Sequence, residues 1–219
     1  MIFSKKLNFI CDFDSTITKQ DTIKTFFHYY TGDKWLVAEK KWEIGEIGSM
    51  QCVEEQVLLL PNLSYKQIDE FLLKNIQIDE TFLEFYSFIK KNEHYLTIVS
   101  DGFDYFITKI LEKHGILDVP CFSNKFCCEN DVISIKFPYT STSCLRKMGT
   151  CKCQVADKIK KEDCTSVYIG DGLSDCCVSN NIDFVFAKDS LLEHCRTKRG
   201  KNFCEFRDFR DILKSISDK

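Results

Sequence analysis

Two aspartates stand one residue apart in FICDFDSTIT, at Asp12 and Asp14, directly after a short apolar run. On an extended chain, residues two apart point the same way, so both carboxylates can serve one site. Two such charges about 4 Å apart repel by roughly 4 kcal/mol at an effective dielectric near 20. Further along, VSDG supplies Ser100, Asp101 and Gly102, and IGDGLSD supplies Asp171 and Asp175, again behind apolar runs. If these acids converge, the cluster must either take up protons or hold a cation. Hard oxygen ligands suit Mg²⁺, which keeps several waters and shares its site with substrate phosphates. A zinc centre would call for His or Cys ligands. An EF-hand is excluded, because Ile17 stands where the loop needs Gly and Ile23 where it needs Glu.

Phosphoryl transfer is the chemistry that fits such a cluster. A carboxylate can attack phosphorus and form an aspartyl-phosphate, dividing one hard step into two. A second carboxyl beside it can protonate the leaving oxygen and later activate water. A hydroxyl such as Ser100 and a cation such as Lys152 would hold the phosphoryl oxygens. Taken singly, each feature has a plainer reading: D-x-D and D-G as turns or caps, Ser100 as a helix cap, Lys152 as surface charge. Their order along the chain, three of them behind strand-like runs, is what points to one site.

The runs LNFIC (7–11), YLTIVS (95–100), CFSNKFC (121–127), VISIKF (132–137), SVYIG (166–170) and DFVFA (183–187) predict strands. Helical spacing appears behind Asp21 at Ile23, Phe26, Phe27 and Tyr30, and again at Met50, Val53, Val57 and Leu60. Ser64 and Gln67 form a capping box ahead of Ile68, Phe71 and Leu72. Further helical stripes run from Phe82 to Ile89, from Phe103 to Leu111, near 152–161 and from Phe209 to Ile216. Strands alternating with helices predict an α/β fold, a mostly parallel sheet with helices on both faces. Open sheets of this kind bind ligands at the carboxyl ends of their strands. Residues 21–78 offer several helices and no strand, more than one crossover needs. A helical cap inserted after the first strand is therefore expected at 21–78, with a catalytic core of 1–20 and 79–219.

The chain has 219 residues, 44% hydrophobic and 29% charged, enough for one sizeable core with an insert. Thirty basic against 33 acidic residues leave a net charge of -3. That balance argues against nucleic acid or an anionic membrane as partner, and short basic runs such as Lys160-Lys161 and Lys198-Arg199 read as solvated faces. MIFSKKLNFIC carries Lys5 and Lys6 within it and makes no signal-peptide core. With no apolar run near the roughly 20 residues of a membrane span, the expectation is a soluble, cytoplasmic protein, monomer or homodimer. Thirteen cysteines without a secretion signal point to reduced thiols. Cys144, Cys151 and Cys153, with Cys127-Cys128 upstream, lack the paired C-x-x-C spacing of a strong zinc site, and packed thiols are the expected reading.

DFDSTIT, VSDG, a lysine opening a helix, and IGDGLSD together resemble the haloacid dehalogenase superfamily of aspartate-nucleophile phosphatases. The D-x-D-S-T form with a helical insert behind it is similar to the phosphoserine-phosphatase-like branch, and the four motifs span residues 12 to 175. The resemblance implies a Rossmann-like core, Mg²⁺, and a small phosphorylated metabolite as substrate. It implies Asp12 as nucleophile and Asp14 as general acid/base. Ser100, with Asp101 and Gly102, would bind the phosphoryl group, and Lys152 would balance its charge. Asp171 would hold Mg²⁺ with Asp12 and the backbone carbonyl of Asp14, and Asp175 would support that site. Lys147 and Lys158 lie near Lys152, which is preferred because it opens the helix leading to the GDG strand.

SDGFDYFI, CLRKMGTCK and VFAKDSLLEHC are most similar to the methionine-salvage phosphatases of the branch, which act on 2-hydroxy-3-keto-5-methylthiopentenyl-1-phosphate. Phosphocholine/phosphoethanolamine phosphatases share the cysteine-bearing approach to the lysine. Phosphoserine phosphatases usually carry two glycines after the motif serine, where this chain has Asp101 and Gly102. A phosphotransferase and a non-catalytic metabolite sensor are the remaining readings. In the insert, Tyr29, Trp35, Trp42, Glu43, Glu46 and Glu54 are candidates to line the pocket, although the same spacing suits core aromatics and solvated acids.

Overall fold

The computed structural model describes residues 6–144, 146–198, 200 and 202–217. Arg199 of the second basic run, Leu145 of CLRKMGTCK and the first five residues lie outside the described residues. LNFIC forms the middle of the sheet: β1 (Lys6–Cys11) is buried from Leu7 onward. The strands are β2 (Tyr95–Phe103), β3 (Cys121–Glu129), β4 (Val132–Lys136), β5 (Cys164–Gly170), β6 (Phe184–Ala187) and β7 (Phe203–Glu205). Their order across the sheet is β4-β3-β2-β1-β5-β6-β7. Every pair is parallel except β3 with β4. That hairpin turns on Asn130 (φ 51°) and Asp131 (φ 62°), two residue types that tolerate the left-handed backbone a tight two-residue turn requires.

The alternation of side chains gives the sheet two apolar faces. Leu7, Phe9, Cys11, Val167, Ile169, Phe184 and Phe186 line one face. It is covered by α5 (Glu80–Lys91), α6 (Asp104–Lys113) and α10 (Phe209–Ser217). Ile10, Val99, Tyr168, Val185 and Ala187 line the other. There α7 (Lys152–Ile159), α8 (Cys176–Ser179) and α9 (Asp189–Lys198) pack. This is the α/β architecture expected, with helices on both faces of a mostly parallel sheet.

Between β1 and β2 lie α1 (Thr22–Thr31), a 3-10 turn over Gly32–Trp35, α2 (Leu36–Glu43), α3 (Ser49–Val57) and α4 (Tyr65–Asn75), ahead of α5. Asp21 caps α1 by accepting from the Lys24 amide at 2.9 Å, and Ser64 and Gln67 form the capping box of α4. The segment leaves and rejoins the sheet side by side, through an antiparallel bridge of Thr18 with Ile78. Phe26 anchors it, its ring 5.4 Å from Phe71 and 4.9 Å from Phe106.

Three features differ from the sequence reading. β2 continues past Ser100 to Phe103, and its register with β3 shifts between Val99 and Phe103. β7 is a three-residue edge strand, too short to show a period. α9 buries Leu191, Leu192 and Cys195 from a sequence dominated by polar residues.

Candidate active site

Because β1 pairs with β2 on one side and β5 on the other, the tips of these three strands share one rim. Asp12 sits just past β1, its amide donating to the Ile169 carbonyl at 2.9 Å. Beyond it the chain turns tightly. Ser15 takes φ 56°, and the amides of Thr16, Ile17 and Thr18 converge on the Phe13 carbonyl at 3.2, 2.9 and 3.1 Å.

Asp12 is 5% exposed. Its Oδ2 lies 2.8 Å from Lys152 Nζ, and its Oδ1 accepts from the Phe13 amide at 2.8 Å. Asp14 Oδ1 accepts from the amide (2.8 Å) and hydroxyl (2.5 Å) of Thr22, at the start of α1. Its Oδ2 lies 3.4 Å from Ser100 Oγ. Gly102 leaves room for this carboxylate: a Cβ there would stand 2.4 Å from Asp14 Oδ2. The Gly102 amide donates to Ser100 Oγ at 2.9 Å, fixing the hydroxyl.

On the β5 side, Asp171 Oδ1 accepts from Thr16 Oγ1 at 2.8 Å. Asp175 is fully buried. Its Oδ1 accepts from Lys152 Nζ (2.6 Å) and Tyr168 Oη (2.5 Å), and its Oδ2 from the amides of Asp171 (3.1 Å) and Gly172 (3.0 Å). Asp175 therefore orients Lys152 and the Asp171 loop. Lys152 is 3% exposed and bridges Asp12 and Asp175. Lys147 instead packs on Gly48, and Lys158 is exposed. The Asp101 carboxylate turns to the Thr150 amide (2.7 Å) and Asn124 Nδ2 (3.2 Å), bracing the loop that leads into Lys152.

One oxygen each of Asp12, Asp171 and Asp175 lie within 4.8 Å of one another. Burial pushes Asp12 well above the usual carboxylate range; Asp175 adds to this and Lys152 opposes it. Burial and Asp21 raise Asp14 to about 7 against the bonds from Thr22, and burial with Asp175 raises Asp171 to about 6. Burial disfavours the charge of Lys152, yet Asp12 and Asp175 hold it well above the ordinary lysine range. An all-oxygen set whose acids resist ionisation next to one another fits a hard divalent cation. With Asp175 saturated by its donors, Asp12 and Asp171 are the side chains left to face it.

The acids and Ser100 open into a cavity of about 400 Å³ whose far wall comes from the helical segment. Of the six residues singled out there, Trp42 and Glu43 line the cavity, while Tyr29, Trp35, Glu46 and Glu54 do not. Trp35 is buried, and Tyr29 is 60% exposed with its ring against Tyr30 and Phe71. The sequence reading missed Lys24, Glu39 and Gln56, which also line it. It missed Thr16, Thr22 and Tyr168 as well. Thr16 follows the D-x-D and Thr22 follows a visible helix cap, so both carried a faint signal; Tyr168 inside an apolar strand carried none.

The cysteines divide. Cys128 donates to the Leu63 carbonyl at 3.1 Å, on the β3 hairpin. Cys144 Sγ accepts from the Met148 amide at 3.5 Å, and Cys144, Cys151, Cys153 and Cys177 are free thiols. Among the described residues, the acidic cluster alone brings three such ligand atoms within 4.8 Å of one another.

With this geometry in view, the comparisons with known proteins agree. A family model described as Putative Phosphatase matches residues 8–203. The chain belongs to this phosphatase family and is a phosphomonoesterase. The 2-hydroxy-3-keto-5-methylthiopentenyl-1-phosphate phosphatase of Bacillus velezensis is 30% identical over 211 residues, 95% of this chain and 89% of the relative. That of Geobacillus thermodenitrificans is 31% identical over 88% of this chain and 87% of its own. A phospho-aspartyl intermediate analogue of phosphoserine phosphatase, 24% identical, shares the fold with a TM-score of 0.72, over 97% of this chain and 99% of that one. No helix among the described residues is long and apolar enough to cross a membrane.

Proposed function

We propose that this phosphatase is Mg²⁺-dependent, cytoplasmic, and hydrolyses 2-hydroxy-3-keto-5-methylthiopentenyl-1-phosphate or a close analogue. The observation that carries the chemistry is one rim holding Asp12, Asp171, Asp175 and Lys152, with Lys152 Nζ 2.8 Å from Asp12. The names of the relatives supply the substrate. We further propose that 21–78 acts as a cap over a catalytic core of 1–20 and 79–219, since helices of that segment form one wall of the cavity.

Asp12 attacks phosphorus, the Asp12 Oδ–P bond forms, and the ester P–O bond breaks. Asp14, raised to about 7, is substantially protonated near neutrality and gives its proton to the leaving oxygen. It then takes a proton from the water that attacks the aspartyl-phosphate, releasing inorganic phosphate and restoring Asp12. Ser100 Oγ, held by the Gly102 amide, and Lys152 Nζ bind the phosphoryl oxygens. Asp175 and Tyr168 keep Lys152 in place. Asp12, Asp171 and the Asp14 backbone carbonyl would hold Mg²⁺, which would supply positive charge to screen the anionic nucleophile from the anionic phosphate.

The test is a phosphate-release screen with Mg²⁺ over the salvage phosphate, phosphoserine, phosphocholine and phosphoethanolamine. The salvage phosphate is expected to give the highest kcat/KM. A higher value for any of the others would replace the substrate while leaving the chemistry in place, and no turnover of any phosphomonoester would remove both.

A further inference from the structure

The helical segment brings an ion pair to the lining of the cavity. Glu39, on α2, is 7% exposed. Its Oε1 lies 3.0 Å from Lys24 Nζ, and its Oε2 accepts from Gln56 Nε2 at 3.2 Å and from Cys52 Sγ at 3.7 Å. A buried carboxylate needs such partners, because removing one leaves a charge without compensation. Lys24 is also 3.9 Å from Asp21 Oδ2, so it is flanked by acids.

Among the described residues lining the cavity, Lys24 and Lys152 are the two cations, and both are already engaged by carboxylates. The lining carboxylates outnumber what two lysines and one divalent cation neutralise. Arg146 lies over the Trp42 ring at 5.7 Å and is not part of the lining. A substrate with a carboxylate, entering phosphate-first, would therefore bring it to a wall that holds no free cation among the described residues. Trp42 supplies something different there. It lines the cavity, and its indole N–H is buried without a hydrogen-bond partner. Such a donor offers a hydrogen bond to an acceptor oxygen of the substrate, a hydroxyl or carbonyl included, and brings no charge. Ile23 and Val53 of the helical segment add apolar surface to the lining.

We infer that Glu39 is a specificity-determining residue: by occupying Lys24 it denies the cavity to substrates bearing a carboxylate and reserves it for phosphate esters of uncharged, oxygen-bearing chains. The inference rests on the phosphatase reading and names the substrate class of the same site.

O-Phosphoserine and O-phosphoethanolamine differ only by a carboxylate, so they isolate the effect. Each is titrated as a competitive inhibitor of p-nitrophenyl phosphate hydrolysis with Mg²⁺ present. Wild-type protein should bind phosphoserine the more weakly. Glu39→Gln keeps the side-chain shape and removes the nearer of the two carboxylates on Lys24, and should shift the ratio of inhibition constants toward phosphoserine by about fivefold or more. Lys24→Met should shift it the other way, and adding Glu39→Gln to Lys24→Met should bring no gain. Lys24→Met keeps the test open if Glu39→Gln folds poorly, and an unmoved ratio in folded Lys24→Met also overturns the inference. Equal binding of the two compounds by wild type, or binding of neither, overturns the inference, as does an unmoved ratio in folded Glu39→Gln. Loss of p-nitrophenyl phosphate turnover by wild type would instead strike the phosphatase reading itself.

Discussion

Replacing Gly102 with alanine should slow turnover sharply while the fold stays intact. Gly102 does not occupy the left-handed region, so its backbone accepts alanine without strain. The added Cβ, however, would stand 2.4 Å from Asp14 Oδ2 and 3.1 Å from Ser100 Oγ, where ordinary contact begins at 3.4 Å. The Asp14 carboxylate must retreat by about 1 Å, and a displacement of that size costs on the order of 10²-fold in rate. It cannot retreat freely, because Thr22 holds Oδ1 with two hydrogen bonds. The loss corresponds to ~2.7 kcal/mol of transition-state stabilisation. Phosphate release should be followed at saturating Mg²⁺ on an alkyl phosphate and on p-nitrophenyl phosphate, beside a thermal melt. The alkyl ester should suffer more, since its leaving oxygen needs the proton from Asp14 and a nitrophenolate does not. Gly172→Ala is the control: its nearest atom would be 3.8 Å away and its backbone is extended, so its rate should stay near wild type. Full kcat on the alkyl phosphate in a folded Gly102→Ala protein would refute the role given to Asp14.

Asp12→Asn should abolish phosphate release and leave no covalent phosphate on protein quenched in acid, by mass spectrometry, with the melting profile retained. Lys152→Met should be inactive and also less stable, by roughly 3–5 kcal/mol in urea unfolding, because Asp12 and Asp175 lose the cation between them. Mg²⁺ affinity, by calorimetric titration on either side of pH 6, should weaken as pH falls through about 6, because Asp171 must release a proton to bind. Without Mg²⁺, folded Asp171 binds its proton more tightly than the unfolded chain does. Stability should then fall as pH rises from 3.8 to about 6, and Mg²⁺ should restore it; a melting profile flat across that window would contradict the shift.

The strand runs, the helix caps at Asp21 and Ser64, and the order of Asp12, Ser100, Lys152 and Asp171 were legible in the sequence. Each is set locally: apolar period, cap chemistry and polar residues at strand ends do not need the rest of the chain. The α/β class followed from the alternation of elements, and the helical spacing of residues 21–78 is found as α1 to α4 between β1 and β2. Which side chains face one another was decided only in three dimensions. The sheet order puts β1 between β2 and β5, and this alone turns three separate motifs into one rim. The register shift in β2 carries Ser100 and Gly102 to Asp14, and the Phe13 turn folds Asp14 toward Thr22. Asp101 reads as a phosphate ligand in VSDG, yet its carboxylate braces the Thr150 loop, a partner 49 residues away. Tyr168 and Glu39 gave no signal because their roles depend on Asp175 and Lys24, groups brought close by packing and by no local rule.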